Sequence, residues 1–147
     1  MATNKFFANN SVRHYDFDPD STAPTDVAWV DMSQFELFAF SFLRTVGTSD
    51  TVIKVLANPA SDGSGTDVEI LSFTNTELGD PDGPFDQVFR ECRAEEIAYA
   101  AGVAGVSGVR YVSVNIAFGT NSDEAIVTYI RSGARQAFDG LTADVIG

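Results

Sequence analysis

Two stretches of alternating residues near the end of the chain constrain the fold most. In the first, Tyr111–Phe118, the apolar side chains that share one face are Val112, Val114, Ile116 and Phe118. The second, residues 126–131, alternates in the same way. A period of two is typical of β-strands that are covered on one side more than on the other. Because the polar segment GTNSDE separates the two stretches, the sequence predicts a β-hairpin here.

Other short segments have strand character and are separated by turn-forming residues. They are residues 12–17, 27–31, 35–44, 51–57 and 68–74. The Phe-rich segment 35–44 is almost continuously apolar, which predicts a strand buried on both faces. The turn GTSD leads from it into 51–57, so we expect these two segments to form a hairpin. About seven strands with regularly spaced turns predict a mainly β protein, an antiparallel β-sandwich or jelly roll.

The segment from residue 85 to residue 104 fits two interpretations. Its apolar residues at helical spacing are Phe85, Val88, Phe89 and Cys92. They could belong to one helix of about five turns that starts after Pro84 and ends at Gly102. Alternatively, a strand at 87–92 precedes a short helix at 94–101. We favour the strand and short helix because the surrounding segments are predicted to be strands, and we expect 102–108 to be a flexible connection.

Length and composition indicate a single domain with its own core. The chain has 147 residues, of which 44% are hydrophobic. We expect a flexible N-terminal arm at 1–11, a sandwich domain at 12–138 and a C-terminal tail at 139–147. Acidic residues outnumber basic ones 21 to 9, giving a net charge of −12. Nucleic acid and anionic membranes would repel such a surface, so neither is an expected partner.

The cysteine count and the hydropathy pattern limit the chain further. Cys92 is the only cysteine, so an intramolecular disulfide is impossible. The first ten residues do not resemble a secretory signal, and no apolar run reaches the length of a membrane span.

Two acidic loops invite comparison with calcium sites. SDGSGTD contains Asp62 and Asp67, whose oxygens could bind calcium, and it resembles one turn of a calcium-binding nonapeptide repeat. Those repeats act as stacked arrays, and a single copy fits a plain turn better. GDPDGP has Asp80 and Asp82, but Gly83 falls at the wrong position for an EF-hand loop. We therefore predict no metal site.

The sequence offers no convincing catalytic group. His14 is the only histidine, and no ligand or nucleophile spacing connects it with Cys92. Glu95 and Glu96 could act in acid–base chemistry only beside a partner in a cleft, and a solvated helix face explains them better. GVAGVSG lacks the dinucleotide-binding fingerprint. We predict no catalytic residue, no cofactor and no enzymatic activity.

Three arginines are candidates for a subunit interface. Arg131 and Arg135 follow the second alternating stretch, and Arg110 precedes the first. Arginine forms bidentate pairs with carboxylates. In an acidic chain, cations gathered at one end of a hairpin could bind acids of a neighbouring subunit, although pairing within the chain explains them equally well.

Two segments resemble a known family. VDMSQFELFAF, residues 30–40, and RYVSVNIAFGTNSDEAIVTYIRSGAR, residues 110–135, resemble segments of small β-sandwich structural proteins of tailed-phage virions. This resemblance implies a head decoration (cement) protein, with neck or tail proteins as alternatives. It also implies a virion location after assembly in the host cytoplasm, and partners such as the major capsid protein. A homo-oligomer, for which we expect a trimer, would fit this role.

Two other functions compete with a virion role. A calcium-dependent carbohydrate-binding sandwich would use SDGSGTD and a stacking platform that includes Trp29, but the aromatic residues do not cluster in the sequence. A small cupin-like enzyme would need several histidine ligands, which this chain lacks.

Overall fold

The computed structural model describes residues 10–74 and 87–133, which form two antiparallel β-sheets and one short helix. In chain order the elements are β1 Ser11–Phe17, β2 Thr25–Asp26, β3 Val30–Asp31, β4 Leu37–Val46, β5 Thr51–Asn58, β6 Val68–Thr74, β7 Gln87–Arg93, α1 Ala94–Ala104, β8 Tyr111–Phe118 and β9 Glu124–Ser132. This architecture confirms the predicted β-sandwich with a short helix.

The two sheets have different strand orders, and neighbouring strands are rarely consecutive in sequence. The first sheet has the order β1-β9-β4-β7. The second has the order β2-β8-β5-β6, and β3 also pairs with β8. β4 lies between β9 and β7, so that Phe38 is opposite both Arg131 and Cys92. The chain therefore crosses repeatedly from one sheet to the other.

Both predicted hairpins are wrong, although their strands are confirmed. β8 belongs to the second sheet and β9 to the first, so GTNSDE crosses from one sheet to the other. β4 and β5 are separated in the same way. An alternating strand buries one face whether its neighbour in sequence pairs with it or packs opposite it, so the local pattern does not distinguish the two arrangements.

The predicted strand at 27–31 is confirmed only at its last two residues, β3, because residues 27–29 leave the β-ladder. β2 and β3 pair with β8 on either side of this break. Within the break, the Tyr129 hydroxyl accepts a hydrogen bond from the Val114 amide (2.8 Å) and donates one to the Ala28 carbonyl (2.9 Å). The side chain comes from β9 in the opposite sheet, so it replaces a backbone bond and joins the sheets.

The core lies between the two sheets. Phe38, Phe40 and Phe42 of β4 face inward and are at most 1% exposed. On the opposite face of β4, Leu37, Ala39 and Leu43 are only half-buried, so the expectation of burial on both faces is wrong for this strand. Burial of each Phe contributes about 1.5–3 kcal/mol.

α1 bridges the sheets on the side where β6 and β7 lie. The strand at 87–93 followed by a helix confirms the favoured interpretation, but the helix continues to Ala104, into the segment expected to be a flexible connection. The Glu96 carboxylate accepts the Arg93 amide hydrogen bond at the first turn, at 2.6 Å. Gly105, at φ 71°, ends the helix in the left-handed conformation. Ile97 and Ala101 are buried against the sandwich.

Candidate interaction site

Arg110 and Arg131, two of the predicted interface arginines, converge on Asp31 of β3. The Arg110 guanidinium donates from Nε (3.0 Å) and Nη2 (2.7 Å) to the Asp31 carboxylate. This bidentate pair lowers the pKa of Asp31 to about 2, because the hydrogen bond from Arg110 favours the carboxylate over the neutral acid. Half of the Arg110 side chain is exposed.

Arg131 is held more deeply than Arg110. Its Nη1 donates to the Asp31 carbonyl at 2.8 Å, and its Nη2 donates to the Ser11 hydroxyl at 3.0 Å. The guanidinium carbon lies 4.9 Å from the centre of the Phe35 ring. Burial lowers the pKa of Arg131. Arg110 and Arg131 thus have partners within the chain, and Arg135 lies outside the described residues. Contact of these three arginines with another subunit stays a prediction.

The SDGSGTD loop is organised around a buried amide. The Asn58 side chain is fully buried, and its Nδ2 donates to the carbonyls of Gly63 (3.2 Å) and Gly65 (3.0 Å) and to the Asp67 carboxylate (2.7 Å). The Asp62 carboxylate accepts the Ser64 amide hydrogen bond, as in an ordinary Asx turn. These contacts fit the plain-turn interpretation, because the Asn58 amide group occupies the centre of the loop, where the Gly63, Gly65 and Asp67 oxygens converge.

The structure describes no metal cluster or thiol–imidazole pair in residues 10–74 and 87–133. No group of three His, Cys, Asp or Glu side chains in these ranges could hold a metal ion. Asp80 and Asp82 lie outside them. His14 and Cys92 lie on β1 and β7, the two edge strands of the first sheet, with β9 and β4 between them. Burial raises the pKa of the Cys92 thiol to about 12, which makes it a poor nucleophile.

A buried ion pair that the sequence analysis missed ties together the loops at one end of the sandwich. Arg44 continues the inward face of β4 and is fully buried. Its Nη1 donates to the Asp123 carboxylate at 2.6 Å, and its Nη2 donates to the Thr51 hydroxyl at 2.6 Å. The Asp123 carboxylate also accepts hydrogen bonds from Ser49 and Thr120. The β4–β5 and β8–β9 connections therefore share one polar anchor.

The protonation state of Asp123 follows from the same contacts. Burial alone would raise the pKa of Asp123. Hydrogen bonds from Ser49 and Thr120 and the charge of Arg44 lower it, and together they outweigh burial, so the pKa lies below its ordinary value. The carboxylate is therefore ionised at neutral pH, as the ion pair requires. The sequence signal for this pair was the position of Arg44, which shares its strand face with three inward Phe residues.

An open groove between β6 and α1 is the most prominent candidate for binding. Its volume is about 870 Å³. Apolar lining comes from Ile70 and Leu71 of β6 and from Tyr99 and Val103 of α1. Tyr99 and Val103 are 75% and 73% exposed, which is unusual for apolar side chains on an amphipathic helix.

The remaining lining of this groove is acidic. Asp67 and Glu69 come from the β6 side, and Glu95 and Glu96 come from the start of α1. Lys54 pairs with Glu69 at 3.0 Å, and Arg93 lies 4.0 Å from Glu95. The groove therefore combines an apolar lining with a rim in which acids predominate. Sequence reasoning missed it because its walls come from two elements more than twenty residues apart.

The described part of the chain includes no helix that is long and apolar enough to cross a membrane.

Comparisons with known proteins find structural likeness at low sequence identity. No protein-family model and no curated protein match it. A protein of Bacillus endospore appendages, described as a novel family of disulfide-linked pili, aligns at 15% identity over 85% of this chain and 87% of that chain, with a TM-score of 0.49.

Two further structures are similar at a lower level. YomS, derived from the SPBc2 prophage, aligns at 14% identity over 84% of this chain and 95% of that chain, with a TM-score of 0.42. VP2 of the infectious bursal disease virus subviral particle aligns at 9% identity over 90% of this chain and 34% of that chain, also with a TM-score of 0.42. At these scores the likenesses carry no conclusion about function.

Proposed function

We propose that the chain is a non-enzymatic structural component of a bacteriophage virion, and specifically a head decoration (cement) protein. The observation that carries the proposal is the groove between β6 and α1, where Tyr99 and Val103 are exposed on a sandwich whose interior is filled by side chains. A domain with an uncovered apolar surface suits a subunit that acts by docking. The sequence resemblance of residues 30–40 and 110–135 to tailed-phage proteins supports the same role.

In this role the chain bridges neighbouring subunits of the major capsid protein, or contacts other virion proteins. A protein that binds only the assembled shell stabilises the shell through its binding free energy. The acidic surface favours a partner with a basic docking face. Assembly as a homo-oligomer, with a trimer as the expected state, is part of the proposal.

The copy number of the chain in purified particles tests the proposal. Quantitative mass spectrometry against the major capsid protein gives the ratio directly. A ratio close to that of the capsid subunits supports head decoration, whereas a few copies per particle would place the chain in the neck or tail. Absence of the chain from particles would contradict a virion role.

A calcium-dependent carbohydrate-binding module is the other candidate, and no contact in the loop favours it. Because the Asn58 amide occupies the loop centre, we expect the melting temperature to be the same with calcium and with a chelator. Differential scanning fluorimetry measures this, with Asn58→Ala as a control for loss of the loop itself. A melting temperature that rises with calcium in the wild-type protein would favour the binding module instead.

A further inference from the structure

We propose that the groove between β6 and α1 receives the N-terminal segment, residues 1–9, of a second copy of this chain. The inference deepens the proposed function, because it names the contact that would join copies of the chain. It rests on the proposed function only in the expectation that the copies assemble. It is carried by the charge of the groove, by the composition of the segment and by the distance between them.

The composition of the segment complements the groove. Residues 1–9, MATNKFFAN, contain one cation, Lys5, two adjacent aromatics, Phe6 and Phe7, and no acid. The segment therefore carries a positive side-chain charge in a chain of net charge −12. Phe side chains can cover the apolar lining, while the ammonium group of Lys5 lies near the acidic rim.

The other end of the chain fits the groove less well. Residues 134–147 contain one arginine but two acids, Asp139 and Asp144. Acids placed beside Glu69 and Glu95 would be repelled, and like charges in a contact disfavour binding. The charge pattern therefore selects the N-terminal segment over the C-terminal one.

The position of β1 favours a segment from another copy. β1 and β7 are opposite edges of the first sheet, and the groove lies beyond β7 on the side of the second sheet. Three strand spacings amount to about 14 Å, and the two sheets are about 10 Å apart. Phe7 lies four residues before Ser11, so its extended reach is about 14 Å. The backbone reach of Phe7 is therefore no longer than the span of the first sheet alone, which favours a groove on another copy.

An edge strand lies beside the groove. Among the described strands, β6 pairs with β5 alone, and residues 67–71 on its first half line the groove. An extended segment can add to such an edge through backbone hydrogen bonds while its side chains fill the groove. A contact of this kind is head-to-tail, so repetition closes a ring or extends a filament.

Sedimentation of the full-length chain over a concentration series tests the inference. We expect concentration-dependent association of the wild type. Phe6→Ser with Phe7→Ser removes the apolar part of the segment, and Tyr99→Ser with Val103→Ser removes the apolar part of the groove. Each double variant should weaken association about tenfold or more. All four side chains lie in the segment or on the exposed helix face, so circular dichroism should remain native.

A mixture of the two double variants tests whether the segment of one copy binds the groove of another. The segment variant keeps an intact groove and the groove variant keeps an intact segment, so the equimolar mixture should regain one contact and form heterodimers. If mixing restored no association, the segment would not bind the groove of another copy, and the inference would be overturned. A wild-type chain that remains monomeric at every concentration would overturn it as well.

Two further variants control for nonspecific effects. Phe89→Ser removes an aromatic side chain that is 62% exposed on β7 and outside the groove, and it should leave association unchanged. Lys5→Glu should weaken association, and adding Glu95→Lys should restore it. Equal weakening by Phe89→Ser, or no recovery in the charge swap, would contradict the proposed contact.

The result remains separable from the proposed function. The copy number in particles does not depend on whether the purified chain associates with itself. If particles contain the chain, the chain alone is monomeric and the groove variant is lost from particles, then the groove binds another virion protein. That outcome overturns the inference and leaves the virion role in place.

Discussion

Arg44 and Asp123 show how a single buried pair can determine the stability of one end of this sandwich. Each side chain is nearly inaccessible, with relative exposures of 0% and 3%. A buried charge is tolerated only when it is paired and hydrogen-bonded, and here Thr51, Ser49 and Thr120 complete the bonding.

Removing the carboxylate should therefore be costly. We expect Asp123→Asn to lower the free energy of unfolding by about 3–5 kcal/mol, because it leaves the Arg44 charge buried without its counterion. Urea denaturation followed by circular dichroism measures the change. Glu69→Gln is the matched control, since it breaks the exposed pair with Lys54 and should cost at most about 1 kcal/mol. Equal losses in the two variants would contradict the argument.

Tyr129 has a comparable role at the sandwich centre, through a hydroxyl rather than a charge. Its ring is 1% exposed, and burial raises its pKa to about 12. The hydroxyl satisfies two backbone groups that the break between β2 and β3 would otherwise leave unpaired.

Tyr129→Phe should destabilise the fold without changing the shape of the core. Loss of the hydroxyl leaves the buried Val114 N–H and the partly buried Ala28 C=O without this partner, and we expect a loss of about 1–3 kcal/mol. Chemical denaturation provides the measurement. Tyr99→Phe, on an exposed ring, should be neutral, and the hypothesis fails if both variants are equally stable.

At the scale of elements, the connections decide the topology more than the strands do. The strand positions were predictable because alternation and turn residues are local signals. The pairing was not, because the same alternation suits a hairpin or a crossing between sheets. Strand pairing depends on contacts between residues that are distant in sequence. One example is the contact of Asp123 with Arg44, which are 79 positions apart. The groove beside α1 depended on the same kind of long-range packing.

Gly47 is the element-scale test of the β4–β5 crossing. It has φ 94°, and an added Cβ would lie 1.9 Å from Asp123 Oδ1. Gly47→Ala should therefore displace Asp123 as well as strain the backbone, and its melting temperature should fall well below that of the control. Gly105→Ala is that control, with φ 71° and open space around the added carbon, and should show only the backbone cost of about 1–2 kcal/mol. Similar melting temperatures would show that the Asp123 contact does not matter.

For the whole molecule, charge sets the response to acid. Asp31 has a pKa of about 2 in the fold against an ordinary value of 3.8, and the pKa of Asp123 is lowered in the same direction. A lowered pKa means that the carboxylate contributes stability above its ordinary pKa and loses that contribution as pH falls through the folded value. The net charge of −12 falls to zero near pH 4.2 and becomes positive below it, so self-repulsion also changes with pH in every variant.

The Asp31 contribution can be isolated by comparing pH profiles. We expect the stability of the wild type to fall between about pH 4 and pH 2 more steeply than that of Asp31→Asn, which lacks this titrating group. Urea midpoints at several pH values give both slopes. Parallel profiles would mean that the Arg110–Asp31 pair does not contribute to the pH dependence of stability. Exposed ion pairs often contribute little.

The strand order of the first sheet also has a consequence for synthesis of the chain. β9 is the last described strand, yet it lies between β1 and β4, and Ser11 pairs with Arg131. Residue 132 must therefore leave the ribosome before this sheet can close. Until then, the backbone groups of β1 that pair with β9 have no strand partner. Contacts so distant in sequence slow folding and lengthen exposure to aggregation. We infer that the first sheet closes only after β9 has left the ribosome.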